Sequence, residues 1–192
     1  MTATRIRILV SALLLLACQA VMAKGLFING AVGTTKILGQ SGSFDGGYGE
    51  LNWGTDQPDY WSKGIGSKFG LTLKTRRLKD YQTSLPSPLQ LEAESVGLKN
   101  TFYFSGVAVS QSIEGGRLRV SDLDGTSRIP FYGMSLSLIY DLFQNKLISF
   151  QAFTGVFLLK PDIGWKNDYN GSDIKGAFIA VRMNLYEHTE YQ

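Results

Sequence analysis

Three features of the sequence predict an all-β fold, an eight-stranded antiparallel up-and-down transmembrane β-barrel preceded by a cleaved signal peptide. The first is the stretch Phe131 to Leu159, FYGMSLSLIYDLFQNKLISFQAFTGVFLL, where two long alternating runs flank a polar break. Period-two alternation marks strands with two chemically different faces, so the stretch reads as a hairpin. Tyr132, Met134, Leu136, Leu138, Tyr140 and Leu142 share one face, and only Ile139 breaks the pattern. The second feature is length: about 9–11 residues carry a tilted strand across bilayer hydrocarbon, whereas strands of about 5–6 residues are commonest in soluble sheets. The run Ile148–Leu158 meets the longer requirement. The third is the N-terminus, where Arg5 and Arg7 precede an apolar core from Ile8 to Ala17, and Val21 and Ala23 offer small residues for cleavage before Lys24.

Taken in order after residues 1–23, the first strand is GLFINGAVGTTKI, Gly25 to Ile37, with Leu26, Ile28 and Val32 on one face and Asn29, Ala31, Gly33 and Thr35 on the other. Leu38 to Gly47 is a Gly- and Ser-rich loop. The second strand covers Tyr48 to Trp53, and Thr55 to Lys63 connects it onward, with Tyr60 and Trp61 placed to rest at an interface. Ile65 to Arg76 forms the third strand, with Phe69, Leu71 and Leu73 opposite Lys68, Lys74 and Arg76.

Leu78 to Pro88 reads as a loop, and Leu89 to Gly97 alternates Leu89, Leu91 and Ala93 against Gln90, Glu92 and Glu94. Lys99-Asn100 reads as a turn into Thr101–Ser112, a strand with apolar residues on both sides. Ile113 to Ile129 reads as a long polar loop. The hairpin supplies the sixth and seventh strands. Lys160 to Asp173 is another polar loop, Lys175 to Tyr186 the last strand and Glu187 to Gln192 a polar tail. Short connections (99–100, 143–145) alternate with long ones (77–88, 113–129, 161–173), as in barrels with short periplasmic turns and long outer loops. Residues 24–192 thus make one barrel domain, with little material to spare.

This pattern resembles the small eight-stranded outer-membrane β-barrels of the OmpA, OmpX and opacity-protein type. The opening GLFINGAVGTTK after a signal peptide, the MSLSLIYDLFQNKLISFQAF hairpin and the alternating GAFIAVRMNLY carry the resemblance, over about residues 25–186. It implies a cell outer-membrane location, insertion by the barrel-assembly machinery, a monomer in outer-membrane lipid, and loops that meet an extracellular ligand or host surface. Chains of that type often end on an outward aromatic residue; here the outward phase ends at Leu185.

The chemistry is sparse. His188 is the only histidine and lies in the tail, and the only cysteine, Cys18, lies within the signal, so no Ser-His-Asp or Cys-His site is expected. Leu15-Leu16-Ala17-Cys18 loosely resembles a lipoprotein processing box, which keeps lipidation at Cys18 as the alternative to cleavage after Ala23. Gly42 to Gly49 lacks phosphate-loop spacing, and Asp162, Asp168 and Asp173 lack the EF-hand pattern. No cofactor, metal or catalytic site is expected. Loss of Arg5 and Arg7 leaves 17 of 19 basic residues against 16 acidic ones, a net of about +1, which gives nucleic acid no footing. Tyr60, Trp61 and Trp165 are expected to anchor at interfaces.

The candidate site is a charge network inside the barrel: Glu50, Lys68, Lys74, Arg76, Glu92, Glu94 and Arg182, with Lys74 opposite Glu92. Eight strands leave only room for side chains, so the expectation is a cross-linked polar plug. The function expected is non-enzymatic, structural or adhesion-like. The rivals are a small pore and a soluble or lipidated periplasmic lipocalin-like barrel, which needs an apolar interior that these charges oppose.

Overall fold

The computed structural model describes residues 25–40, 43–56, 65–82, 89–104, 107–121, 125–144, 148–169 and 171–186. The all-β barrel expected from the sequence is the fold observed. Its strands are β1 (Gly25–Ile37), β2 (Gly46–Asp56), β3 (Ile65–Tyr81), β4 (Leu89–Phe104), β5 (Val107–Ser121), β6 (Thr126–Gln144), β7 (Ile148–Pro161) and β8 (Ile174–Tyr186). Each pairs antiparallel with its neighbours in sequence, and β1 closes on β8, so the ladder has no free edge. Among the described residues a single helix forms, α1 (Ile163–Tyr169), which precedes β8. No helix among the described residues is long and apolar enough to cross a membrane.

The strand ends Ile37 and Gly46, Tyr81 and Leu89, Ser121 and Thr126, and Pro161 and Ile174 lie at one end, the loop end; Asp56 and Ile65, Phe104 and Val107, and Gln144 and Ile148 lie at the other, the turn end. Residues 1–23, expected as a signal peptide, with Cys18 among them, and Tyr60, Trp61 and His188 fall outside the described residues.

The strands are longer than expected, for one physical reason. On β4, Ser95, Lys99, Thr101 and Tyr103 turn inward while Val96, Phe102 and Phe104 turn outward. Nearer the loop end the same strand turns Leu89, Leu91 and Ala93 inward and exposes Gln90 and Glu94. The phase is unbroken, but the polarity of the two faces inverts. On β5, Ser110, Ser112 and Glu114 face in, and then Leu118 and Val120 do, with Arg117 exposed. On β6, Ile129 and Phe131 face in beside exposed Arg128, and then Ser137 faces in between exposed Leu136 and Leu138. The barrel therefore has a belt that is apolar outside and polar inside, and above it a crown that is apolar inside and charged outside.

This inversion corrects three segments. Ile113 to Ile129 is no long loop: β5 runs to Ser121 and β6 starts at Thr126. Lys99-Asn100 is no turn, because Lys99 is an interior residue of a strand that continues to Phe104. β3 likewise continues to Tyr81, through a register irregularity between Leu78 and Tyr81. Charged residues were read as loop where they are the wet outer face of a strand.

The crown is closed from above. The segment expected as loop, Lys160 to Asp173, contains α1, whose Trp165 is fully buried against Tyr81 (ring centroids 5.4 Å apart) and Tyr169 (5.5 Å). Its indole N–H donates to the Ser172 carbonyl at 2.8 Å. Trp165 is thus the core of the crown and not an interface anchor, since both its polar atom and its ring are satisfied inside. Gly171 lies against the indole so closely that an added Cβ would stand 2.1 Å from it.

Outward aromatic residues gather toward the turn end, with Phe104, Tyr140, Phe143 and Phe150 exposed, and Tyr132 marks the opposite margin of the belt. Such girdles suit amphipathic rings at a water–hydrocarbon boundary.

Candidate functional site

Five of the residues expected inside, Glu50, Lys68, Lys74, Arg76 and Arg182, are buried in the interior from β2, β3 and β8. Alternation places them there: each lies at the inward phase of its strand, and Arg76 sits at the inversion itself, with Thr75 and Arg77 exposed on either side of it. Glu92 and Glu94 are not among them. Both lie above the inversion, where β4 turns Leu91 and Ala93 inward, so the carboxylates project to the outer surface. Glu92 meets Arg77 at 3.5 Å and Arg119 at 3.2 Å there. The expected pairing of Lys74 with Glu92 is corrected too, because the β3–β4 register sets Lys74 beside Ser95 and Arg77 beside Glu92.

The interior carboxylates are Glu50 and Glu114, each serving two cations. Glu114 of β5 takes a bidentate pair from Arg76, at 2.7 and 3.1 Å, and the Ser95 hydroxyl at 2.5 Å, with the Lys74 ammonium 3.9 Å away. Lys74 in turn donates to Ser112 and, at 2.9 Å, to Ser135. Glu50 accepts from Lys99, from Arg182 at 3.0 Å, and from Tyr48 and Asn52 at 2.7 Å each. Planar Arg76 suits the bidentate grip on a carboxylate, a geometry a lysine does not offer.

Rings fill the space between these groups. The Arg182 guanidinium lies 4.6 Å from the Phe153 ring centroid, and that of Arg76 lies 4.8 Å from Phe157. Tyr48 stacks on Phe178 at 4.5 Å. Cation–π contact of this kind holds a desolvated cation in place without adding a charge. Toward the turn end the network becomes an amide ladder: Asn52 donates to Asn29 at 2.6 Å, Asn184 to Gln151 at 2.9 Å, and Gln151 to Asp141 at 2.6 Å. A small cavity beside Lys68, Lys99 and Arg182 holds about 10 Å³, room for one water-sized species. The interior is a packed plug.

Sequence reasoning missed Lys99 and Glu114. Lys99 continues the inward phase of Ser95 and Thr101, and Glu114 continues that of Ser110 and Ser112. The signal was present in the alternation but was cut by the turn and loop assigned there. Asp162, Asp168 and Asp173 do not converge: Asp162 accepts from the Ile163 N–H at the start of α1, and Asp173 meets Lys160 at 4.0 Å. Among the described residues no group of three or more metal-ligating side chains forms.

At the loop end a polar cleft of about 720 Å³ is lined by Gln40, Tyr81, Ser172, Asp173 and Lys175 among others. Gln40, in its lining, exchanges two hydrogen bonds with the Gln82 backbone, at 3.0 and 3.1 Å.

No family model and no curated protein sequence matches the chain. Among solved structures it is similar to the N-terminal β-barrel domain of OprF from Pseudomonas aeruginosa, with 12% identity over 85% of this chain and 98% of that one, at a TM-score of 0.48. It is also similar to Neisserial surface protein A, with 11% identity over 85% and 96% of the two chains and a TM-score of 0.47. The attachment invasion locus protein Ail of Yersinia pestis gives 11%, 85%, 97% and 0.48 in the same terms.

Proposed function

We propose that this protein is an outer-membrane β-barrel, exported on residues 1–23, inserted by the barrel-assembly machinery, and non-enzymatic, with a surface-interaction role through its crown and loop-end connections. The observation that carries this reading is the inversion of polarity at one level on several strands. Belt side chains such as Leu136 and Val181 face outward and apolar, while Arg117, Arg119 and Arg128 begin just above. A water-soluble barrel has no use for such an apolar belt, and a bilayer requires it, because backbone groups are satisfied by closure and side chains must match hydrocarbon. The crown then stands in water as a rigid platform, with a polar cleft at its top and Trp165 beneath it. Adhesion-like contact needs only such a surface.

The charged interior of the belt weighs against the lipocalin rival. The packed Glu50 and Glu114 networks weigh against the small pore. The test is fractionation: the mature protein should stay with outer membranes after a carbonate wash and change apparent mass in SDS on boiling, with no large steady conductance in planar bilayers. Release into the soluble periplasmic fraction would overturn the membrane reading, and large conductance would overturn the plug.

A further inference from the structure

Two side chains in the belt contradict their surroundings. Asn100 on β4 and Gln111 on β5 are directly paired across the ladder, and both are at the outward phase. They sit midway between Glu94, at the base of the crown, and the turn at 105–106. Their neighbours on the outer wall are apolar: Phe69 pairs with Asn100, Leu136 with Gln111, and Leu98 and Ile113 lie one step above. Gln111 is exposed and Asn100 half-buried, and among the described residues neither side-chain amide makes a hydrogen bond. In hydrocarbon no water supplies the missing partners. A shallow groove of about 730 Å³ that runs round the wall from Phe69 to Lys175 includes both amides in its lining.

We infer that this patch is the contact surface for a second copy of the same chain, in a two-fold dimer within the membrane. The inference rests on the membrane reading above. The argument for a second copy is symmetry. Two copies inserted in the same direction are related by a two-fold axis along the bilayer normal, and that operation preserves depth. Residues at one depth therefore meet residues at the same depth, in an isologous contact. A carboxamide carries both a donor and an acceptor, so amides are self-complementary in a way that a lysine or a carboxylate is not. The axis sets β4 of one copy against β5 of the other, so Asn100 faces the other copy's Gln111 at each of two equivalent places. Tilted strands on facing walls cross steeply, which confines the contact to a compact patch, and the amide pair is its centre. The inference departs from the monomer expected from the sequence.

The test uses the mature full-length chain in phosphatidylcholine vesicles, with energy transfer between donor- and acceptor-labelled chains as the readout. Wild type should show transfer that falls on dilution with lipid. The double variant Asn100→Leu with Gln111→Leu should insert, keep its heat-modifiable mobility, and dimerise at least about tenfold more weakly, as loss of paired desolvated hydrogen bonds implies. Chains carrying Asn100→Cys, mixed with chains carrying Gln111→Cys, should cross-link under oxidation, and Val181→Cys, on the opposite wall, should not cross-link to itself. Insertion of wild type as a monomer, or a dimer that the leucine variant leaves intact, would overturn the dimer alone. Failure to insert would overturn the membrane reading and the dimer with it.

Discussion

Removing the Glu114 carboxylate tests whether the interior is a dry, paired plug. In the structure Glu114 is wholly buried and holds Arg76 in a bidentate pair, with Lys74 at 3.9 Å and Ser95 at 2.5 Å. Both cation side chains are essentially inaccessible to solvent. Glu114→Ala leaves two buried cations without their carboxylate, and breaking one buried pair costs about 3–5 kcal/mol. Because a single carboxylate serves both cations, the loss should fall at the upper end of that range. Arg76 retains its face on Phe157 at 4.8 Å, and a cation–π contact of about 0.5–2 kcal/mol offsets too little to change the outcome. Glu94→Ala, on the exposed face of neighbouring β4 and nearer the loop end, should cost under about 0.5 kcal/mol. Urea titration of folding into lipid vesicles measures both. A loss below about 1 kcal/mol for Glu114→Ala, comparable to that of an exposed pair, would mean that water reaches the network, and the packed-plug reasoning would be refuted. Combining Glu114→Leu with Arg76→Met should recover most of the loss, since apolar replacement of a whole buried pair is often neutral or stabilising.

Facing within the belt is tested by Leu136→Arg, which puts a charge on the outer wall near its mid-height and should cost about 2–4 kcal/mol in the same titration; Ser137→Ala, inward on the same strand, should be tolerated far better, and equal losses would mean the phase is wrong. Gly171→Ala drives a methyl into the Trp165 indole and should shift tryptophan emission and expose the segment 163–173 to protease, while the belt keeps its heat-modifiable mobility; an unchanged spectrum would mean that α1 does not seat as described.

Much of the barrel was legible in the chain. The alternation from Phe131 to Leu159 is the β6–β7 hairpin, with Met134, Leu136 and Leu138 outward, and Ile139, which interrupts the apolar phase, is an inward residue. The alternation of Lys68, Lys74 and Arg76 against Leu71 and Leu73 is that of β3. The misreadings cluster where charge density rises. By sequence pattern Arg117, Arg119 and Arg128 read as loop, Glu92 and Glu94 as interior groups, and Trp165 as an interface anchor. Each lies in the crown, where the rule that apolar residues face outward no longer holds.

The sequence by itself determined which residues share a face, because backbone pleating alternates side chains whatever surrounds them. Only the tertiary structure decided which face is inside at each height. That depends on where the strands rise out of the apolar belt, a level set by barrel closure and strand register and not by any one strand. The same geometry decided the partners: Glu114 meets Arg76 over the inner face of β4 because the curved wall brings the inward side chains of β3 and β5 together there, a contact between residues 38 apart in sequence that no local pattern records.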